Sequence, residues 1–292
     1  MKENSSKEEA VREKTGKKSS AVDMTVGSIP RHLILFAVPL ILGNLFQMLY
    51  NTVDILVVGN FVGKEALAAV GSTSSIINIA VFFFNGVSLG GGVVISHYYG
   101  AKDTEKIHTA VETTMAMTFI CCVIFTVFGV LLVPQMLRFM STPDDVFASA
   151  TTYLRIYFAG VTGLLIYNMG SGILRAVGDT KRPLVFLIIT SVMNIILDLF
   201  FVIKLELGIA GVAYATILSQ FISALLVLIL LTKTTDIYHF SWKDICIDKD
   251  ILKQILTIGL PTGIQSMLTA FSNVFVQGYI NSFGSACMAG WS

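Results

Sequence analysis

Charge is what this sequence has least of. Asp, Glu, Lys and Arg make up 13 % of its 292 residues, hydrophobic residues make up 54 %, and mean hydropathy is +0.75; an ordinary soluble domain is excluded. Cysteine is also sparse. Of the four, Cys121 and Cys122 are adjacent inside an apolar run, Cys246 lies in a polar loop and Cys287 near the end. No disulfide framework follows from that spacing, and the thiols read as reduced. The four histidines, His32, His97, His108 and His239, make no metal-ligand spacing such as HExxH. A Walker A run is absent, and the glycines from Gly86 to Gly92 follow no strand, so they form no phosphate-binding fingerprint. A net charge of +1 says nothing about a nucleic-acid partner, and none is expected. Enzymatic chemistry is therefore not expected. Met1 to Ile29 lacks the apolar core and cleavage site of a signal peptide and reads as a polar tail.

What is present is a series of charge-poor segments between short charged loops. Seven are long enough to cross a hydrocarbon core about 30 Å thick. They run approximately Leu33–Val58, Ala66–Ser96, Thr113–Leu137, Ala148–Leu174, Pro183–Ile203, Leu207–Thr232 and Ile255–Phe283. Gly86 and Gly90 to Gly92 interrupt the second, and either bend it or admit a close neighbour. With strict alternation, 16 Lys and Arg fall on the tail's side, Arg175, Lys181 and Arg182 among them in one loop, against Lys64, Arg138 and Lys204 opposite. This positive-inside imbalance puts the N-terminus in the cytoplasm. The class is an all-α polytopic protein of the cytoplasmic membrane, embedded in the lipid bilayer. A faint repeat pairs FAVP at Phe36 with IGLP at Ile258, and Asn51 with Asn273. It implies parallel halves six helices apart, joined by the charged loop Lys233 to Asp250, with the chain stopping one helix into the second.

The apolar segments carry narrow polar seams. Asn44, Gln47, Asn51 and Asp54 recur at spacings of 3, 4 and 3 in the first segment, and Ser191, Asn194 and Asp198 share a face of the fifth. Thr216, Ser219, Gln220 and Ser223 do the same in the sixth, and Asn168 and Ser171 in the fourth. Amides alone serve equally well as interhelical glue. A carboxylate is different, because inside a membrane it costs about 2.5 to 3.5 kcal/mol even on the lenient insertion scale. Asp198 could be held by Asn168 or Thr216 as a buried hydrogen-bonded pair. Alternatively, neutral oxygens around one or two carboxylates suit a proton or a hard cation, and do not suit zinc or copper. Two carboxylates in one low-dielectric bundle also resist double ionisation. Glu112, at the start of the third segment, reads as a solvated helix end.

Three stretches in this order, PLILGNLFQMLYNTVDILVVG from Pro39, GILRAVGDTKRP from Gly172 and GIAGVAYATILSQ from Gly208, resemble the multidrug and toxic compound extrusion (MATE) transporters. The resemblance runs from about Arg31 to the end. It implies a twelve-helix, two-lobe fold, of which this chain would hold a cytoplasmic tail (1–30), the six-helix first lobe (31–232), an inter-lobe loop (233–250) and the first helix of the second lobe (251–292). It also implies bacterial export of organic, often cationic, compounds in exchange for Na⁺ or H⁺, with no other cofactor. Residue by residue, Asp54 matches the family's first-helix acid. Asn194 and Asp198 match the fifth-helix pair of the prokaryotic branch whose cation site is in the first lobe, and Asn168 and Thr216 match their partners. In a sodium-coupled protein Asp198, Asn194, Asn168 and Thr216 would be the ligands. Asn44, Gln47, Tyr50, Asn51, Phe82, Tyr167 and Asn273 are expected along the substrate path.

Two other functions compete. A flippase for lipid-linked saccharides should line its cavity with Arg or Lys, whereas the expected spans contain only Arg155. A non-transporting membrane sensor would move neither dye nor lipid.

Overall fold

The computed structural model describes residues 28–284 together with 287 and 290, so most of the expected tail lies outside the described residues. Pro30 opens α1 (Ile29–Val57), placed where its missing N–H leaves no bond unmade. A π-helical turn, Val58–Val62, ends on Gly63 at φ 117°, a backbone state glycine tolerates. Then come α2 (Lys64–Gly100), α3 (Thr104–Phe139), α4 (Asp144–Ala159), α5 (Val161–Ala176) and α6 (Lys181–Leu199). A second π-helical turn, Phe200–Lys204, leads to α7 (Gly208–Lys233) and α8 (Lys249–Asn281). Asp103 and Asp248 cap α3 and α8, their carboxylates accepting from first-turn amides. Six of these helices are long and apolar enough to cross a membrane, and α4 with α5 makes a seventh, bent span.

The expected segment Ala148–Leu174 is thus a single span made of two helices. The two halves meet at 48° around Gly160. A Cβ there would lie 2.3 Å from Cγ2 of Ile217, so the α7 side chain occupies the inside of the corner. The glycines of α2 act the other way, since the helix continues through them. Cβ atoms on Gly86 and Gly90 would come within 2.3 and 2.5 Å of α8 backbone atoms, at Gly263 and Ile255. Small residues here bring two helix backbones together.

Ile95, Ile107, Met115, Met169 and Ile173 are fully buried where α2, α3 and α5 converge. By contrast α1 leans mainly on α6, and its apolar side chains are largely exposed. Val53 and Val57 near its end pack with Ala66, Tyr153 and Val212, and before that point a gap lined by Asn44, Gln47 and Tyr50 separates α1 from α5 and α7.

Glu112 overturns its reading as a solvated end. It begins no helix, since α3 starts at Thr104, and it is wholly buried beneath the loop 234–248. Its Oε1 accepts from Ser241 N at 2.7 Å, with His108 Nε2 3.8 Å away. Tyr238 and Phe240 of the same loop are fully buried. Arg182 Nη1 donates to the Tyr238 hydroxyl (3.2 Å), which donates to Asp236 (2.9 Å). Burial, reinforced by Asp236, pushes the Tyr238 phenol up to about 12. Burial also raises the Asp179 carboxyl above the usual carboxylate range, although the backbone amide and charge of Arg182 pull the other way. The loop is thus a packed plug rather than a free linker. Glu112→Ala should open it, because a hydrogen bond to a charged group contributes about 1.5 to 3 kcal/mol. Tryptic cleavage at exposed Lys243 is expected to speed up about tenfold; an unchanged rate would mean that Tyr238 and Phe240 hold the loop unaided.

Candidate functional site

Both intramembrane acids stand in the last turn of their helices. Asp54 precedes the π-helical turn after α1, and Asp198 the one after α6. Interruptions of this kind recur at functional sites. Because α1 and α6 pack together and the two π-helical turns that follow them also meet, the two carboxyl groups are brought to the same place. Two carboxyls so placed need a proton or a cation between them. Asp198 is 0 % exposed and Asp54 9 %. Among the described residues, neither Asp198 oxygen nor Oδ1 of Asp54 has a hydrogen-bond donor.

The pairing of Asp198 with Asn168 or Thr216 is therefore not what the structure contains. Asn168 Nδ2 donates to Leu164 O at 3.0 Å, and Thr216 Oγ1 to Val212 O at 3.0 Å, each within its own helix. Asn194, one turn before Asp198 on α6, is buried with both amide atoms unpartnered. Buried polar groups are nearly always satisfied. Their clustering here marks a place built to receive something.

Beside the acids lies a cavity of about 130 Å³, partly open to solvent, between α1, α5, α6 and α7. Of the expected cation residues, Asn168, Asn194 and Thr216 line it, and Asp54 and Asp198 lie just beyond its Asn194 end. Asn44, Gln47, Tyr50 and Tyr167 also line it. The α7 seam stays together, since Thr216, Ser219, Gln220 and Ser223 all face this space. Three expected path residues are elsewhere. Asn51 and Phe82 are exposed and outside the lining, and Asn273 is exposed on α8, which runs along α2 instead of the cavity helices.

Arg175 is the residue that sequence reasoning misplaced. It stands not in a loop but in the last turn of α5, and its side chain lines the cavity. The one available signal was its position four residues after Ser171, on the seam that begins at Asn168.

The MatE family model matches residues 39–200, a range that contains both acids, Asn168 and Asn194. The Probable multidrug resistance protein YoeA of Bacillus subtilis (strain 168) is 32 % identical over 271 residues, covering 90 % of this chain and 58 % of its own. Among solved structures, the outward-facing conformation of a multidrug resistance MATE family transporter of the MOP superfamily superposes with a TM-score of 0.80 at 28 % identity, over 86 % of this chain and 56 % of that one. A crystal structure of a MATE mutant superposes with a TM-score of 0.82 at 26 % identity, over 94 % and 61 %. All-helical architecture and the first half of a MATE structure are therefore shared. The chain spans less than two thirds of the length of these relatives.

Proposed function

Because this chain belongs to the MatE family, we propose that the intact protein is a multidrug efflux antiporter that exports organic, often cationic, compounds across the bacterial cytoplasmic membrane in exchange for Na⁺ or H⁺. The observation that carries this reading is the pair of buried carboxyls, Asp54 and Asp198, brought together by the packing of α1 on α6 at the end of a polar cavity. In the mechanism, Asp198 receives the coupling cation or proton from outside. Asn194 is its nearest free amide, and the oxygens of Asn168 and Thr216 complete a neutral ligand set of the kind a hard cation accepts. Asp54 senses the event from the facing helix. Since α1 is held mainly by α6, a change in charge between these two helices bears on how α1 sits over the cavity. Cation and drug then favour different arrangements, and that differential binding couples the two fluxes.

The reading assigns 31–232 to the first lobe, 233–250 to a cytoplasmic inter-lobe loop and 251–292 to the start of the second lobe, with the N-terminus cytoplasmic. Drug would enter along Asn44, Gln47, Tyr50 and Tyr167. Arg175 gives a flippase for lipid-linked saccharides some support, but a single guanidinium is fewer cations than a lipid-linked pyrophosphate calls for.

The test is dye efflux by the intact protein in vesicles, with the sodium gradient and the pH gradient varied separately. One of the two gradients is expected to drive export on its own. Export that persists at the same rate with both gradients collapsed would reject the antiporter.

A further inference from the structure

Around the turn joining α5 to α6 the chain carries three cations. Lys181 is exposed to solvent, and Arg182 is held by Asp179 at 3.3 Å. Arg175 differs from both. It is half-buried and lines the cavity, and among the described residues no carboxylate lies within ion-pair distance of it. A half-buried guanidinium with no counter-charge is free to pair with an anion that enters the cavity. Its planar fork matches the two oxygens of a carboxylate or phosphate. Ser171, one turn earlier on the same face, and Thr180 add hydroxyls to the same end of the cavity.

The acid pair is at the other end. Along α6 the cavity runs from Pro183 to Asn194, about 16 Å at 1.5 Å per residue. The space is therefore bipolar, with a cation at one end and two acids beyond the other. Tyr50, Tyr167, Leu164 and Leu187 supply aromatic and apolar surface between them.

We infer that Arg175 forms an oxyanion subsite, which takes the carboxylate of an amphiphilic substrate whose apolar body lies in the cavity among α1, α5, α6 and α7. The same chemistry would accept the phosphate of a lipid entering through the gap beside α1, so the test separates the two sources. The inference deepens the proposed transport role, since it makes this cavity the substrate cavity. It is read by equilibrium binding, which succeeds or fails whether or not a gradient drives export.

The probes are rhodamine 110, which bears a free benzoate, and rhodamine 123, its methyl ester. Binding of each to the intact protein in phosphatidylcholine nanodiscs is followed by fluorescence polarisation. Arg175→Gln should weaken the acid about tenfold or more and leave the ester within about twofold, so the ester doubles as a check on folding. Arg175→Lys should recover part of the loss. Phosphatidylglycerol added to the nanodiscs assigns the oxyanion to lipid if it competes with rhodamine 110 in the wild type and ceases to compete in the Gln variant. Acid-selective loss without that competition assigns it to the substrate. Equal losses for both dyes, or no loss for either and no lipid effect, would overturn the subsite.

Discussion

Asp198→Asn is expected to abolish gradient-driven dye efflux by the intact protein while leaving it folded. The amide has the shape of the acid but can neither exchange a proton nor balance a cation. Little structure should be lost with the charge, because neither oxygen of Asp198 is bound by a neutral donor among the described residues and the side chain is fully enclosed. An amide can moreover donate to Asp54, preserving the contact between α1 and α6 without the proton that two carboxyls require. What disappears is the differential. Swinging a two-state equilibrium from 1:99 to 99:1 takes a ligand that prefers one state about 10⁴-fold, and a neutral side chain at the centre of the site gives a cation no such preference. Efflux at background with an unchanged melting profile is the expected pair of measurements. Undiminished efflux would remove Asp198 from the coupling site, whatever the fate of Asp54.

The acids were legible in the sequence because a charge in an apolar run stands out against its surroundings. The α7 face was legible for another reason, the 3.6-residue period, which holds wherever a helix is straight. Neither signal could show that Asp54 and Asp198 are brought together, since that depends on the packing of two helices far apart in the chain. Arg175 was missed because a cation near a helix end looks the same whether it points to water or inward. Its direction is decided by the turn that brings Pro183 and Thr180 beside it. Glu112 was misread on the same grounds: only the folding of Tyr238 and Phe240 over it makes it a buried anchor. For Asn273, the offset that matched it to Asn51 is a statement about descent. Its surroundings are set by α8 docking on α2, which leaves both residues exposed.

That docking supports the other large effect. Gly86→Ala is expected to destabilise the protein by about 3 kcal/mol or more, at the upper end of what overpacking usually costs. The reason is the identity of the obstructing atoms. A methyl group on Gly86 would lie 2.3 Å from both Cα and N of Gly263, backbone that has no rotamer to escape into. Only separation of the helices relieves it, and one turn on, a Cβ on Gly90 would lie 2.7 Å from Gly259, so the seam must open along its length. Gly278→Ala is the matched control, since it lies on α8 with nothing within 4 Å of the added carbon. There the gain in helix propensity, about 0.5 to 1 kcal/mol, should leave stability equal or slightly improved. A melt of the intact protein in detergent should place the Gly86 variant about 3 to 5 °C below wild type and the Gly278 variant at or above it. Coincident melts for wild type and the Gly86 variant would mean that α8 does not pack on α2 through these glycines. α8 would then have to be docked elsewhere, and the separation of Asn273 from the cavity would lose its basis.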